Sequence, residues 1–189
     1  PYIADVPTSG DLDVTTLGPL IADIMPEESI VSDESATSSL IVTPHALQAK
    51  PHDWLALTGG SIGQGLPLAI GASIAKPDRP VITLHGDGGA MYTVQALWTQ
   101  ARENLNITNI IFSNRSYEIL KIELDRVQAV ETGERAASMF SMDNPPIDWV
   151  NLAESMGVQG YKPKTVKEFK DVFSKSINES GPSLIEIEI

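Results

Sequence analysis

The 189-residue sequence contains no cysteine, which excludes disulfide bonds and thiolate metal sites. It also lacks a long apolar run, so it predicts no membrane-spanning helix. Basic residues are few: 13 Lys and Arg face 25 Asp and Glu, which gives a formal net charge of −12. Because nucleic acids and anionic membranes bind clustered Lys and Arg, neither is expected as a partner. The absence of cysteine fits a reducing compartment, and a cytoplasmic location is expected.

The beginning of the chain lacks the features of a signal peptide. Pro1-Tyr2-Ile3 is followed by neither a basic nor an apolar segment, and there is no initiator Met. Residues 1–14 are polar and contain Pro7, Ser9 and Gly10, so we interpret them as a linker or extension. The sequence therefore predicts one domain over residues 15–189, with a start that is typical of an excised or processed domain.

Strand-like and helix-like segments alternate along the rest of the sequence. This alternation predicts a three-layer, doubly wound α/β fold with a mainly parallel, six-stranded sheet and helices on both faces. The strand-like segments that can be placed are 29–32, 54–57, 80–85, 108–113 and 184–189. The helix-like segments are 15–24, 65–76, 91–103, 119–127, 148–156 and 166–178, the first capped by Thr15 or Thr16.

A glycine-rich turn follows the third strand-like segment. Gly86-Asp87-Gly88-Gly89 lets the backbone approach a ligand closely, and the N–H groups at the next helix start can bind an anion. Asp87 would repel that anion unless a hard divalent cation bridged the two, and Asn114 at the end of the next strand offers a neutral oxygen ligand. The plain structural alternative is a tight turn in which Asp87 caps a helix.

Other nucleotide and metal sites fit the sequence poorly. The loop at 59–65 has four glycines, but Leu68 stands where a dinucleotide-binding loop needs its third glycine, and no phosphate-binding Gly-Lys-Ser/Thr is present. His45, His52 and His85 have no second ligand at helical spacing, so we interpret them as surface or packed residues. The tryptophans are expected in the core or at an interface; they are Trp54, Trp98 and Trp149.

The spacing of two motifs carries a resemblance to a known family. Gly86-Asp87-Gly88 is separated by 24 residues from Ser113-Asn114, which is similar to the thiamine diphosphate motif of Gly-Asp-Gly followed by Asn-Asn. The segments 60–67, 96–99 and 114–117 strengthen the likeness. From about Ile30 onward the chain resembles the C-terminal, diphosphate-binding domain of the acetolactate synthase and benzoylformate decarboxylase superfamily.

This resemblance implies a cofactor and its ligands. Magnesium would be bound by side-chain oxygens of Asp87 and Asn114 and by the carbonyl of Ser116, with two diphosphate oxygens and a water completing an octahedron. The diphosphate would be held by N–H groups of Gly88 and Gly89. The remaining cofactor contacts implied by the family are Ser35 and Thr37 at the diphosphate, and Gly60, Ser61 and Ile62 at the pyrimidine ring.

The sequence departs from the family pattern at two positions. Ser113 replaces the first Asn of the pair, although the expected metal ligand is the second. Glu118 stands where the family commonly has glycine. The resemblance places Glu118 near the cofactor mouth together with Ile119, Leu120 and Glu123, so these four residues are expected to face the substrate.

The implied activity is decarboxylation of a 2-oxo acid followed by carboligation, as in acetolactate synthase. Alternatives are a non-condensing decarboxylase of the benzoylformate type and a non-catalytic module that keeps the fold. The family takes its activating glutamate from a pyrimidine-binding domain across a dimer interface, and some relatives bind FAD in a middle domain. Neither domain is recognisable here, so the chain alone is expected to be inactive, with no catalytic residue of its own and no bound FAD.

The same resemblance implies partners. The chain is expected to work with the pyrimidine-binding domain of a second copy or of another chain, in a homodimer or homotetramer. The stretch from Gln128 to Pro146 has few apolar anchors, and we expect it to be mobile when no cofactor is bound.

Overall fold

The computed structural model describes residues 5–127 and 133–189, and these form one parallel sheet flanked by helices. The sheet has six strands in the order β2-β1-β3-β4-β6-β5, all neighbours being parallel. This confirms the predicted fold class. The strands are β1 (Ile30–Glu34), β2 (Asp53–Ala56), β3 (Val81–Gly86), β4 (Ile107–Ser113), β5 (Gln159–Tyr161) and β6 (Ser183–Glu188).

Helices cover both faces of the sheet. The main ones are α1 (Val14–Ile24), α2 (Ser39–Ala46), α3 (Gly65–Ala75), α5 (Ala96–Arg102), α8 (Trp149–Ser155) and α9 (Val166–Asn178). Shorter or more exposed ones are α4 (Asp87–Ala90), α6 (Glu118–Arg126) and α7 (Glu134–Ser138), with 3₁₀ turns at Ala36–Ser38 and Thr58–Gly60. None of the helices in the described ranges combines the length and apolar character that crossing a bilayer requires.

The core is split by the sheet into two layers, because successive side chains of a strand point to opposite faces. Ile110 and Phe112 of β4 pack with helices α1, α2 and α9, whereas Ile111 between them packs with α3, α5 and α8. Phe169 and Phe173 of α9 stack on each other at 5.4 Å between ring centroids and fill the first layer. The sequences of the central strands are therefore nearly continuous apolar runs, as expected for a sheet that is buried on both faces.

Several element boundaries differ from the sequence-based expectation. Helix α2 was not predicted, because Pro44 and the β-branched residues before it are poor helix signals, and its apolar side chains are partly exposed. Strand β5 was missed because it is only three residues long. The helix expected over 91–103 begins only at Ala96, since tight turns follow the glycine motif.

The first helix is capped by Asp13, so the predicted cap at Thr15 or Thr16 was wrong. Asp13 Oδ1 accepts from the N–H groups of Thr15 and Thr16 at 2.8 and 3.0 Å, and the Thr16 hydroxyl accepts from the Asp13 N–H. Residues 10–12 of the expected linker are hydrogen-bonded to the segment that enters α9. The Leu12 N–H donates to the Lys164 carbonyl at 3.0 Å, which ties this segment to the domain.

Helix α9 begins with a reciprocal cap that gives a first testable prediction. The Thr165 hydroxyl accepts from the Glu168 N–H at 3.2 Å, and the Glu168 carboxylate accepts from the Thr165 N–H. We expect Thr165→Ala to lower the free energy of unfolding by about 1 kcal/mol, because it leaves a helix N–H without its acceptor. Urea denaturation measures this loss.

The control for that measurement is Ser174→Ala, which removes an exposed hydroxyl from the middle of the same helix. It should change the unfolding free energy by less than about 0.5 kcal/mol. Equal effects of the two substitutions would contradict a capping role for Thr165.

The segment from Gln128 to Pro146, whose mobility without cofactor stays a prediction, has secondary structure in its described part. Residues 128–132 lie outside the described residues, but 134–138 form α7 and Ser141 forms an antiparallel bridge with Ser116. The Tyr117 N–H donates to the Phe140 carbonyl at 2.9 Å, and the Met142 N–H donates to the Arg115 carbonyl at 2.7 Å. Residues 140–142 therefore pair with the turn that follows β4.

Candidate functional site

The candidate site lies at the carboxyl ends of β1, β3 and β4, which are neighbours in the sheet. Asp87 follows β3 directly and Asn114 follows β4 directly, so the parallel pairing of these strands brings both side chains to one edge. A polar cleft opens there. It is lined by the 3₁₀ turn after β1 (Ser35, Ala36, Thr37, Ser38), the turn after β3 (Gly86, Asp87, Gly88, Gly89) and the turn after β4 (Asn114, Ser116, Tyr117, Glu118), with Phe112 and Ile119.

Asp87 is a buried carboxylate with backbone partners. Its side chain accepts from the N–H of Gly88 at 2.8 Å and from the N–H of Arg115 at 2.7 Å. Burial raises the pKa of Asp87 above its ordinary value of 3.8, and these N–H groups offset only part of that effect. Within the described part of the chain, no Lys, Arg or His side chain forms an ion pair with Asp87. The site therefore holds a negative charge that a bound cation could neutralise.

The turn after β4 presents its oxygen atoms in a fixed conformation. Asn114 Oδ1 accepts from the Ser116 N–H at 2.9 Å, and Arg115 between them adopts a left-handed backbone with φ of 53°. The Arg115 guanidinium is anchored by the carboxylates of Asp143 and Glu188, and their negative charge raises its pKa. This anchoring holds the strained residue whose N–H reaches Asp87.

Glycine is required at position 88 by close packing. A Cβ atom there would lie 2.7 Å from the Tyr117 ring, closer than any ordinary contact. The Tyr117 ring therefore covers the backbone of the turn after β3 and forms one wall of the polar cleft. Sequence reasoning missed this contact, although Tyr117 belongs to the Asn114–Tyr117 segment that carried the resemblance.

Ser35 is part of the cleft, but its hydroxyl is already engaged. Ser35 is 1% exposed, and its hydroxyl donates to Asp33 Oδ1 at 2.6 Å. The Ser39 hydroxyl donates to the other oxygen of Asp33 at 3.1 Å. Asp33 thus fixes the 3₁₀ turn that carries Thr37, which is half-buried in the same cleft.

A second, apolar cavity shares a wall with the polar cleft. Both are lined by Ala36, Gly86, Gly88, Gly89, Tyr117 and Ile119. The apolar cavity adds Glu34, Leu57, Ile62, Tyr92 and Leu120. Ile62, Tyr92 and Leu120 are 54%, 62% and 48% exposed, so a large apolar surface is available here for a ligand or another chain.

The structure does not bring every expected site residue to these cavities. Gly60 and Ser61 are exposed on the turn before Ile62 and line neither cavity. Glu123 is exposed on α6 and also lines neither. Glu118 lies at the rim of the polar cleft, where its carboxylate accepts from Ser116 Oγ at 3.3 Å and lies 3.1 Å from Lys121 Nζ.

Two buried residues next to the site were not predicted as part of it. Glu34 ends β1 and His85 lies beside it in β3, with exposed fractions of 4% and 0%. Burial by itself raises the pKa of Glu34, but His85 and the N–H groups of Gly63 and Gly65 lower it by more, so the pKa lies below its usual 4.5. A carboxylate directly before a small-residue turn was the available signal in the sequence.

The two cavities together suit a ligand with one anionic end and one apolar end. The polar cleft offers backbone N–H groups, a carboxylate and an amide oxygen, while the adjoining cavity offers aliphatic and aromatic surface. In the described ranges no three His, Cys, Asp or Glu residues cluster around a possible metal position. A cation in the cleft would therefore take amide, carbonyl or ligand oxygens besides Asp87.

Comparison with known proteins agrees with this geometry. The family model described as "Thiamine pyrophosphate enzyme, C-terminal TPP binding domain" matches residues 36–187. IlvX of Mycobacterium tuberculosis, assigned as an acetolactate synthase large subunit, is 44% identical over 180 residues, which covers 95% of this chain and 35% of that protein. Benzoylformate decarboxylase of Pseudomonas aeruginosa is 27% identical over 178 residues, which covers 94% of this chain and 32% of that protein.

A solved structure shows the same fold. The thiamine diphosphate-dependent 4-hydroxybenzoylformate decarboxylase of Rhodococcus jostii RHA1 superposes with a TM-score of 0.83 at 30% identity, covering 100% of this chain and 34% of that one. The chain thus spans about a third of the length of the relatives it matches. These matches confirm the resemblance inferred from the two motifs: the chain belongs to the family of C-terminal thiamine pyrophosphate-binding domains.

Proposed function

We propose that this chain supplies the diphosphate- and magnesium-binding half of the active site of an acetolactate synthase-like enzyme that acts on 2-oxo acids. The observation that carries this proposal is the meeting of Asp87 and Asn114 in one cleft, next to the backbone of Gly88 and Gly89. Thiamine diphosphate (thiamine pyrophosphate) has the anionic tail and apolar rings that the two adjoining cavities suit.

The residues in the cleft fit a magnesium ion. Mg²⁺ prefers six oxygen ligands and is bound in proteins through one or two carboxylates plus substrate phosphates. Asp87 supplies a buried carboxylate that forms no ion pair within the described residues, and Asn114 and Ser116 supply neutral oxygens on the neighbouring turn. A metal held by these groups would neutralise both the Asp87 carboxylate and the diphosphate, which removes the repulsion between them.

The apolar cavity would hold the ring end of the cofactor. Ile62 and Leu57 lie on the side of the loop after β2, and Tyr92 lies on the side of the turn after α4. Gly60 and Ser61 are exposed next to Ile62, where their backbone groups could meet a ring bound over the cavity. The chain would thereby fix both ends of the cofactor, which is catalysis by positioning.

The bound cofactor supplies an acidic ring carbon and an electron sink for loss of carbon dioxide from a 2-oxo acid. This chain's residues orient that cofactor and shield it from water. Ile119 and Leu120, which line the apolar cavity, would face the substrate, and Glu118 at the rim of the polar cleft would influence which acid enters. No described residue of this chain is proposed to transfer a proton to the substrate.

The remaining half of the active site would come from a pyrimidine-binding domain of a second copy or another chain. The exposed apolar side chains around the cavity are the surface on which such a domain would pack. We propose a homodimeric or homotetrameric enzyme on this basis.

The test is product analysis with the gene product that contains these residues. With pyruvate, thiamine diphosphate and Mg²⁺ we expect acetolactate, and we expect no turnover by the purified 189-residue chain. Failure of the gene product to use any 2-oxo acid would contradict the proposal, as would turnover by the purified chain alone.

A second candidate is a non-condensing decarboxylase. It is supported by the 30% identity to the 4-hydroxybenzoylformate decarboxylase over the whole chain and by the apolar surface of Ile119 and Leu120, which suits an aromatic acid. The same assay with benzoylformate separates the two: free benzaldehyde as the main product would favour the decarboxylase, and an acyloin or acetolactate would favour the synthase.

A further inference from the structure

Glu34 and His85 form a buried pair between the two glycine-containing loops of the site. They are opposite each other in the register of β1 and β3, and His85 Nε2 lies 3.1 Å from Glu34 Oε2. His85 Nε2 makes no regular hydrogen bond at this position, so the Glu34 oxygens accept from other donors. The pair lies below the wall that the polar cleft and the apolar cavity share.

Those other donors belong to the loop that carries Ile62. Glu34 Oε1 accepts from the Gly63 N–H at 2.5 Å, and Oε2 accepts from the Gly65 N–H at 2.7 Å. On the opposite side of the loop, the Thr93 hydroxyl donates to the Gly63 carbonyl at 2.7 Å. Gly63 is therefore held from both sides.

Ile62 depends on this anchoring. Its side chain is 54% exposed, so packing within the chain does little to fix its position. It directly precedes Gly63, and the anchor at Gly63 therefore determines where Ile62 projects into the apolar cavity.

The same pair is in contact with the turn after β3 (Gly86, Asp87, Gly88 and Gly89), which we call the diphosphate loop because the proposed function places the diphosphate there. A Cβ atom on Gly89 would lie 3.1 Å from Glu34 Oε1 and 3.1 Å from His85 Cε1. A Cβ atom on Gly65 would lie 2.9 Å from the His85 ring. Glu34 and His85 thus fill the space between the two loops, and neither loop can approach the other without displacing them.

We propose that Glu34 is a positioning residue that fixes Ile62 relative to Gly88 and Gly89 and so sets the separation between the ring end and the diphosphate end of the cofactor site. This inference rests on the proposed function. It predicts that loss of the Glu34 carboxylate weakens a ligand that spans both loops, but not a ligand that touches the diphosphate loop alone.

The experiment compares two probes on the 189-residue chain and its Glu34→Gln variant by titration calorimetry: thiamine diphosphate with Mg²⁺, and inorganic pyrophosphate with Mg²⁺. Glutamine keeps the size of the side chain, but its NH₂ group must face one of the two N–H donors. We expect the variant to bind thiamine diphosphate about tenfold more weakly. Its affinity for pyrophosphate should stay within about twofold, and amide exchange at Gly63 and Gly65 should become about tenfold faster.

Two further variants make the result decisive. Glu186→Gln changes another buried carboxylate, 1% exposed, that lines neither cavity, and it should leave both affinities unchanged. Thr93→Val removes the anchor on the other side of Gly63 and should show the same selective loss for thiamine diphosphate. If Glu34→Gln does not fold, Thr93→Val decides the question.

Each outcome has one meaning. Selective loss of thiamine diphosphate affinity supports the positioning role. Equal loss of both ligands, or no loss of either, in a folded variant overturns it while the proposed function stands. If the unmodified chain binds neither probe, the proposed function fails and the inference fails with it.

Discussion

Asp87→Asn should lower the magnesium-dependent affinity of this chain for thiamine diphosphate by about 100-fold or more. Substitutions that only support a metal ligand already cost about 10- to 100-fold in metal affinity, and this one removes the ligand's charge. Asp87 is 3% exposed and is paired with backbone N–H groups rather than with a cationic side chain. Among the described residues, Asp87 is the only carboxylate that the turn after β3 contributes to the cleft. A metal bound there would therefore lose its charged ligand from this turn.

Titration calorimetry with thiamine diphosphate, in Mg²⁺ and again in a chelator, measures this effect. Asp23→Asn is the matched control. Asp23 is exposed on α1 and lies away from the cleft, and its substitution changes the net charge by the same amount. The control should bind like the unmodified chain. Unchanged binding by Asp87→Asn would favour the alternative of a non-catalytic module that keeps only the fold.

Trp149→Ala should lower the free energy of unfolding by about 3–5 kcal/mol, the usual cost of deleting a large aromatic side chain from a core. Trp149 is 1% exposed at the start of α8 and packs in the second core layer with Leu97, Ile111 and Leu184. Truncation leaves a cavity under α8, where the chain cannot collapse without moving the helix away from the sheet.

Trp98→Ala is the comparison that isolates burial. Trp98 is 53% exposed on α5 and has Arg102 over its ring at 5.4 Å. Its loss should cost less than about 1 kcal/mol, the value of an exposed cation–π contact. Urea denaturation followed by circular dichroism measures both variants. A Trp149 effect as small as that of Trp98 would contradict the assignment of α8 to the core.

The sheet was predictable from sequence because its central strands are buried on both faces. Apolar runs such as 80–85 and 108–113 carry that signal without any tertiary information. The edge strand β5 and helix α2 carry no such signal, since the first is three residues long and the second has Pro44 and no apolar periodicity. Their positions depend on packing against neighbours that the sequence alone does not place.

The candidate site was predictable where a motif had fixed spacing. Asp87 and Asn114 were singled out because each follows a strand, and parallel pairing brings strand ends together. Glu34 and His85 were not identified as a pair, because their contact depends on the register between β1 and β3 and on a loop that folds back onto Glu34. A single sequence contains no signal for the register between two strands, or for a contact between Glu34 and Gly63, which are 29 positions apart.

The loop between β2 and α3 has a consequence for directed evolution. Gly59, Gly60 and Gly63 adopt φ angles of 64°, 67° and 91°, a region that side-chain-bearing residues rarely occupy. A side-chain-bearing residue at each of those positions would cost roughly 1–2 kcal/mol of backbone strain. Ser61 and Ile62 lie between them with exposed side chains, so a two-residue library at these positions avoids that strain.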